Sequence, residues 1–123
     1  MILLDTNILI EIYRDNVNIV SIVDNMQEIA VCDVVRAELF YGARNKRELQ
    51  VISDDLEGFN VLSLLPQISE MAVNLVKTYC LSHKLELADA LIAATAIFYN
   101  TELFTLNKKD FAYIPNLKLY DHK

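Results

Sequence analysis

The sequence predicts an α/β chain in which helices cover both faces of a short, mostly parallel central sheet, giving three layers. Three observations carry this expectation. Short apolar runs alternate with segments of helical periodicity, the order that yields parallel strands joined by crossover helices. Only two Gly and two Pro occur in 123 residues, too few for the tight turns of an all-β sandwich or barrel. Apolar residues make up 54% of the chain, enough for one sizeable core, and the length is in the commonest single-domain range, so residues 1–123 are expected to form one domain.

The elements follow in order. Ile2-Leu3-Leu4 is a short strand, closed by Asp5-Thr6-Asn7, whose side chains are good helix caps, and Ile8 to Ile12 continue as a first helix. Ile19, Val20, Ile22, Val23 and Met26 recur at helical spacing, and Ile29 to Cys32 make a second strand. Asp33 is placed to cap a helix through Val34, Ala37, Glu38 and Tyr41, ending near Gly42. Leu49, Ile52, Leu56 and Phe59 predict another short helix, and Asn60 to Leu65 a third strand. Pro66 suits the first turn of the longest helix, whose apolar stripe runs from Ile68 to Tyr79. Ala88 to Ile97 is apolar nearly all round, as a helix buried on most faces would be. Glu102 to Leu106 and Leu117 to Tyr120 supply two further strands.

Charge and cysteine content narrow the function classes. Eleven basic against seventeen acidic residues leave a net charge of −6, the opposite of a plain nucleic-acid binder. That objection weakens if several acids are internal metal ligands, since bound cations would cancel them. Arg44, Lys46 and Arg47, with Lys108 and Lys109, then remain as candidate contacts to phosphates. Cys32 and Cys80 have no C-x-x-C spacing and read as buried small hydrophobes. No signal-peptide pattern is visible, and the longest apolar run, Ala90 to Tyr99, is about half of what a spanning helix needs. A cytoplasmic protein without a membrane span is the expectation.

Four segments each set an acid or amide beside an apolar run: Leu4-Asp5-Thr6-Asn7, Ala37-Glu38-Leu39, Ala88-Asp89-Ala90, and Thr105-Leu106-Asn107 with Asp110. In open parallel sheets, sites form at the carboxyl ends of strands, near the point where strand order reverses. Asp5 and Asn107 directly follow strands, Asp89 stands in the first turn of its helix, and Glu38 reaches in from a neighbouring helix. Converging carboxylates raise one another's pKa unless a cation neutralises them. Oxygen ligands with neither His nor Cys select Mg²⁺, or Mn²⁺ as its substitute, over zinc. Such a site suits phosphoryl chemistry: one ion activates a water toward phosphorus, and an optional second, about 3.5–4 Å away, steadies the leaving oxygen. His83, expected in a loop, and His122, at the C-terminus, are given no part in it.

These residues also resemble a known family. Leu3-Leu4-Asp5-Thr6-Asn7, Ala37-Glu38-Leu39 followed by Tyr41-Gly42-Ala43, Ala88-Asp89-Ala90-Leu91-Ile92-Ala93-Ala94-Thr95-Ala96, and Thr105 to Phe111 before Ile114 to Leu119 look like a PIN-domain protein, specifically a VapC-type ribonuclease toxin. The match runs in order from residue 1 to about residue 121. The resemblance implies a three-layer α/β/α fold, Mg²⁺-dependent endonucleolytic cleavage of RNA, a homodimer, and inhibition by a cognate antitoxin. It makes Asp5, Glu38 and Asp89 the metal-site acids, with Thr6 and Asn7 buttressing Asp5. Asn107 stands where the family often places a fourth acid, and either this amide or Asp110 completes the site. Tyr13, Phe40 and Tyr41 are open to base stacking, a dimer face or an antitoxin groove, whereas Phe98, Phe104 and Phe111 are assigned to the core.

Because Asn107 departs from the family pattern, a catalytically silent PIN-like domain that binds RNA or a partner protein is the second reading. A phosphatase of the haloacid dehalogenase type shares the acid after the first strand, but it needs a second Asp two residues later, where Asn7 stands. A dinucleotide-binding role lacks any Gly-rich turn.

Overall fold

The computed structural model describes residues 1–121, and His122 lies outside the described residues. The chain runs β1 (Ile2–Leu4), α1 (Thr6–Tyr13), α2 (Val17–Asp24), β2 (Ile29–Cys32), α3 (Asp33–Tyr41), α4 (Lys46–Leu56), β3 (Asn60–Leu62), α5 (Pro66–His83), α6 (Leu87–Phe98), β4 (Glu102–Phe104), a single 3-10 turn at Lys108–Asp110, and β5 (Lys118–Leu119). The sheet order is β3-β2-β1-β4-β5. Every pairing is parallel, so the sheet is wholly rather than mostly parallel. The fold is therefore the expected three-layer α/β arrangement.

Strand order reverses between β1 and β4. The chain builds outward from β1 through β2 to β3, then returns through α5 and α6 to place β4 on the other side of β1. Leu3 faces Leu103 and Leu4 faces Phe104 across this central pair, and all four are fully buried. They are apolar on both faces of the pleat, as strands covered by helices on both sides must be. Outside it, α5 and α6 make the most extensive helix contact of the fold. Ala90, Ala93, Ala94 and Ala96 of α6 are completely buried, which explains why that segment is apolar nearly all round.

Local signals set most boundaries. Asp5 caps α1, Asn16 caps α2 by accepting from the Ile19 amide, and Asn45 caps α4 through the Glu48 amide. Pro66 begins α5, where its missing N–H costs nothing. Asp33, expected as a cap, is instead the first residue of α3, behind Cys32, which makes no side-chain cap bond. Its carboxylate accepts from the Leu64 amide at 2.9 Å and from Arg36 at 3.1 Å. β3 stops at Leu62 rather than Leu65, opposite Cys32, where its partner β2 ends. His83 is not in a loop: α5 continues through it and ends at Lys84, whose left-handed φ of 57° breaks the helix. Phe104 and Phe111 are core residues, but Phe98 is 39% exposed at the end of α6. Cys32 is buried and Cys80 only half-buried. Among the described residues, no helix is long and apolar enough to cross a membrane.

Candidate metal centre

Asp5 follows β1, and Thr105 follows β4 directly beside it. The Asp5 amide donates to the Phe104 carbonyl at 2.9 Å, carrying the β1–β4 pairing one step past the strand ends. This places the two side chains together on the carboxyl rim, at the reversal point. The Thr105 hydroxyl donates to Asp5 Oδ2 at 2.7 Å. It accepts from the Asn107 amide at 3.1 Å and from Asn7 Nδ2 at 3.3 Å, so its one donor and two acceptor sites are all used. Asn7 Nδ2 also reaches Asp5 Oδ2 at 3.3 Å, and Asn7 Oδ1 accepts from the Leu106 amide at 3.2 Å. Asp5 Oδ1 accepts from the Thr6 amide at 2.8 Å.

Glu38 arrives from α3 through a single link: the Thr6 hydroxyl donates to Glu38 Oε1 at 2.7 Å. Thr6 thus ties two of the expected ligands together, by its amide to Asp5 and by its hydroxyl to Glu38. Although its segment looked apolar, Glu38 is exposed, as is Ala37 before it. Asp89 lies in the first turn of α6 and is half-buried. Asp110 closes the 3-10 turn, and Asn107 precedes that turn, with its backbone rather than its side chain bound to Thr105.

Electrostatics couple these groups. Burial pushes the Asp5 carboxyl up, against hydrogen bonds from Thr105 and Thr6 that favour its charge, while Glu38 and Asp110 push it further up. The Asp89 carboxyl is raised from 3.8 to about 6, by burial first and then by the charges of Asp5, Asp110, Glu38 and Glu86. Among the described residues, no three His, Cys, Asp or Glu side chains converge tightly enough, as they lie, to hold one ion. Asp5 is turned to Thr105 and Glu38 to Thr6, as mutually repelling carboxylates with donors beside them would be. In kind, the set fits a hard divalent cation: oxygen donors only, one buried acid, and a surplus of negative charge. Burial pushes the Cys32 thiol up to about 11, which removes it as a nucleophile.

Two expectations follow for the metal-free protein. The raised Asp89 carboxyl binds its proton more tightly in the folded than in the unfolded chain. Its stabilising effect is therefore complete below pH about 4 and lost as pH rises through about 6. Some two units would correspond to about 3 kcal/mol, reduced to about 1.5 because the group is half exposed. Urea titrations in chelator at pH 5 and pH 7 should show the protein more stable at pH 5. Thr105→Val, close to isosteric, removes the hydroxyl that serves Asp5, Asn7 and Asn107. It is expected to cost about 2–4 kcal/mol in the same titration, since buried partners lose their bonds, and to raise the Asp5 carboxyl further.

The basic residues divide between two places. Arg44 and Arg47 line a groove of about 740 Å³ with Ile10, Tyr13, Leu39 and Val51, and Glu38 forms part of its wall. Arg44 is held by a bidentate pair with Glu48. Lys46 is exposed at the start of α4. Lys109 is exposed beside Lys108, which pairs with Asp121 at 3.2 Å. Tyr41 is 93% exposed, while Phe40 packs partly against the core. Sequence reasoning gave Thr105 no role of its own. The signal was its position, first after β4, as Asp5 is first after β1.

Known proteins share the sequence pattern and the fold. A family model described as PIN domain matches residues 2–117. Ribonuclease VapC19 of Mycobacterium tuberculosis is 31% identical, over 96% of this chain and 98% of that protein. Among solved structures, a toxin-antitoxin complex from Klebsiella pneumoniae has a chain 32% identical, with a TM-score of 0.81 and 95% of each chain covered. VapBC2 from Rickettsia felis, bound to a DNA fragment from its promoter, has a chain 28% identical, with a TM-score of 0.79 and full coverage of both chains.

Proposed function

The chain belongs to the PIN domain family, and from that premise we propose that it is a Mg²⁺-dependent endoribonuclease, the toxin of a toxin–antitoxin pair. The observation that carries the reading is the gathering of Asp5, Glu38, Asp89 and Asp110 at the carboxyl rim of β1 and β4, near enough for their charges to act on the partly buried carboxyls of Asp5 and Asp89. Uncompensated negative charge of this kind is what a divalent cation and a phosphodiester together would neutralise. The name of the Mycobacterium relative supports RNA as the substrate.

Asp5, Glu38 and Asp89 would hold the ion, with Asn107 or Asp110 completing the set. When bound, Mg²⁺ would supply water activation and charge neutralisation at phosphorus. The protein's own contribution is positioning. Thr105 and Asn7 fix one oxygen of Asp5 and the Thr6 amide fixes the other. Thr6 keeps Glu38 within reach of the same rim. Lys46, Arg47 and Lys109 are the basic side chains available to the RNA backbone, and Arg44 and Lys108 join them if their exposed pairs with Glu48 and Asp121 open. The toxin-antitoxin complex to which the similar Klebsiella chain belongs supports an antitoxin partner, and the groove beside Glu38, lined by Ile10, Tyr13, Leu39 and Val51 together with Arg47, suits one. A homodimer, a single domain and a cytoplasmic setting complete the reading.

The direct test is cleavage of RNA by the purified protein. Activity should disappear in chelator and return with Mg²⁺ or Mn²⁺. Metal-independent cleavage would refute the carboxylate mechanism. Metal-insensitive RNA binding without cleavage would favour the silent domain that Asn107 keeps open.

A further inference from the structure

We propose that the stacked rings of His83 and Tyr113 form a platform that receives one unpaired base of the RNA beside the phosphate to be cut. The inference rests on the ribonuclease reading above and names how that site grips its substrate. The two rings lie 3.8 Å apart and within 12° of parallel. Tyr79 meets both edge-on, at 5.0 Å from Tyr113 and 5.8 Å from His83. The Ser82 hydroxyl lies 2.7 Å from His83 Nδ1. The imidazole is therefore fixed in tilt and in rotation, yet His83 remains exposed and Tyr113 half-buried.

A near face-to-face pair is not the arrangement two aromatic rings prefer by themselves. Here Tyr79 and Ser82 hold it in place. Its position is what gives it a use. His83 ends α5, and the left-handed turn at Lys84 leads straight into α6, whose first turn carries Asp89. Tyr113 follows the 3-10 turn that ends in Asp110. The platform is thus built from the two chain segments that carry Asp89 and Asp110 to the rim. The charges of Asp89 and Asp110 reach the Tyr113 phenol, which burial and those charges keep neutral. Lys84, exposed beside His83, offers a cation to the backbone of a base lying there. Every base has a π-face, so such a platform grips single-stranded RNA without selecting sequence.

The test uses the whole protein with Mg²⁺ and a mixed-sequence single-stranded oligoribonucleotide that the wild type cuts. His83→Ala is expected to raise KM roughly five- to twentyfold with kcat within about twofold, and His83→Phe to restore KM. Substituting an abasic nucleotide at successive positions should erase the difference between wild type and His83→Ala at one position next to the cut. If His83→Ala keeps the wild-type KM, if Phe fails to rescue, or if the variant weakens only partner-protein binding, the platform is refuted while the ribonuclease reading stands. If the wild type cuts no RNA under any divalent metal, it is the ribonuclease reading that fails, and the platform falls with it.

Discussion

Asp89→Asn is expected to lower RNA cleavage at least about a thousandfold, the several kcal/mol that a metal site contributes at phosphorus, while making the metal-free protein more stable. The two effects have one cause. Asp89 is pushed up to about 6 first by burial and then by the charges of four other acids, Asp5, Asp110, Glu38 and Glu86, so losing its proton is costly. The amide keeps the size and polarity of the side chain and removes the charge. The gain should be about 1 kcal/mol at pH 7 after allowance for exposure, and the pH dependence between 5 and 7 should flatten with it. Urea unfolding in chelator and a cleavage assay with Mg²⁺ measure both sides. A variant that loses stability, or that cuts RNA at the wild-type rate, would show that Asp89 is an ordinary helix-end acid.

Phe104→Ala is expected to cost about 3–5 kcal/mol, the largest stability effect of any single change considered. Phe104 is fully buried at the end of β4, opposite Leu4, with its ring 5.1 Å from that of Tyr120. Its carbonyl also accepts the Asp5 amide. A single-domain protein has roughly 5–15 kcal/mol of total stability, so the variant should melt about 10–20 °C lower. Because the cavity lies beneath the carboxylate rim, activity should fall well below the melting point as well. Calorimetry and cleavage measured at increasing temperature would show the two losses separating. Their coincidence at the melting point would mean that the rim does not depend on this ring.

The frame of the fold was legible because its elements announce themselves locally. Asp5 and Asn107 follow apolar runs, Pro66 opens a helix, and the alanine-rich α6 could hardly lie anywhere but inside. The features that escaped are those set by partners distant in the chain. Leu64 and Leu65 look like strand residues, yet the partner strand β2 ends at Cys32, opposite Leu62, and Asp33, thirty-one positions earlier, takes the Leu64 amide instead. Thr105 looks like any strand-end residue until β4 is set against β1, when it meets Asp5 one hundred positions away. His83 was placed in a loop because the apolar stripe of α5 fades after Tyr79, but nothing before Lys84 breaks the helix. Residue type alone gives Phe98 to the core, but as the last residue of α6 it stays 39% exposed.

The strand order also bears on how the protein is made. Asp5 leaves the ribosome one hundred residues before Thr105, which β4 seats beside it. Until then β1 can pair only with β2, and the acid that anchors the rim has no hydroxyl to orient it. A site built this way stays incomplete on the nascent chain until β4 has emerged to meet β1.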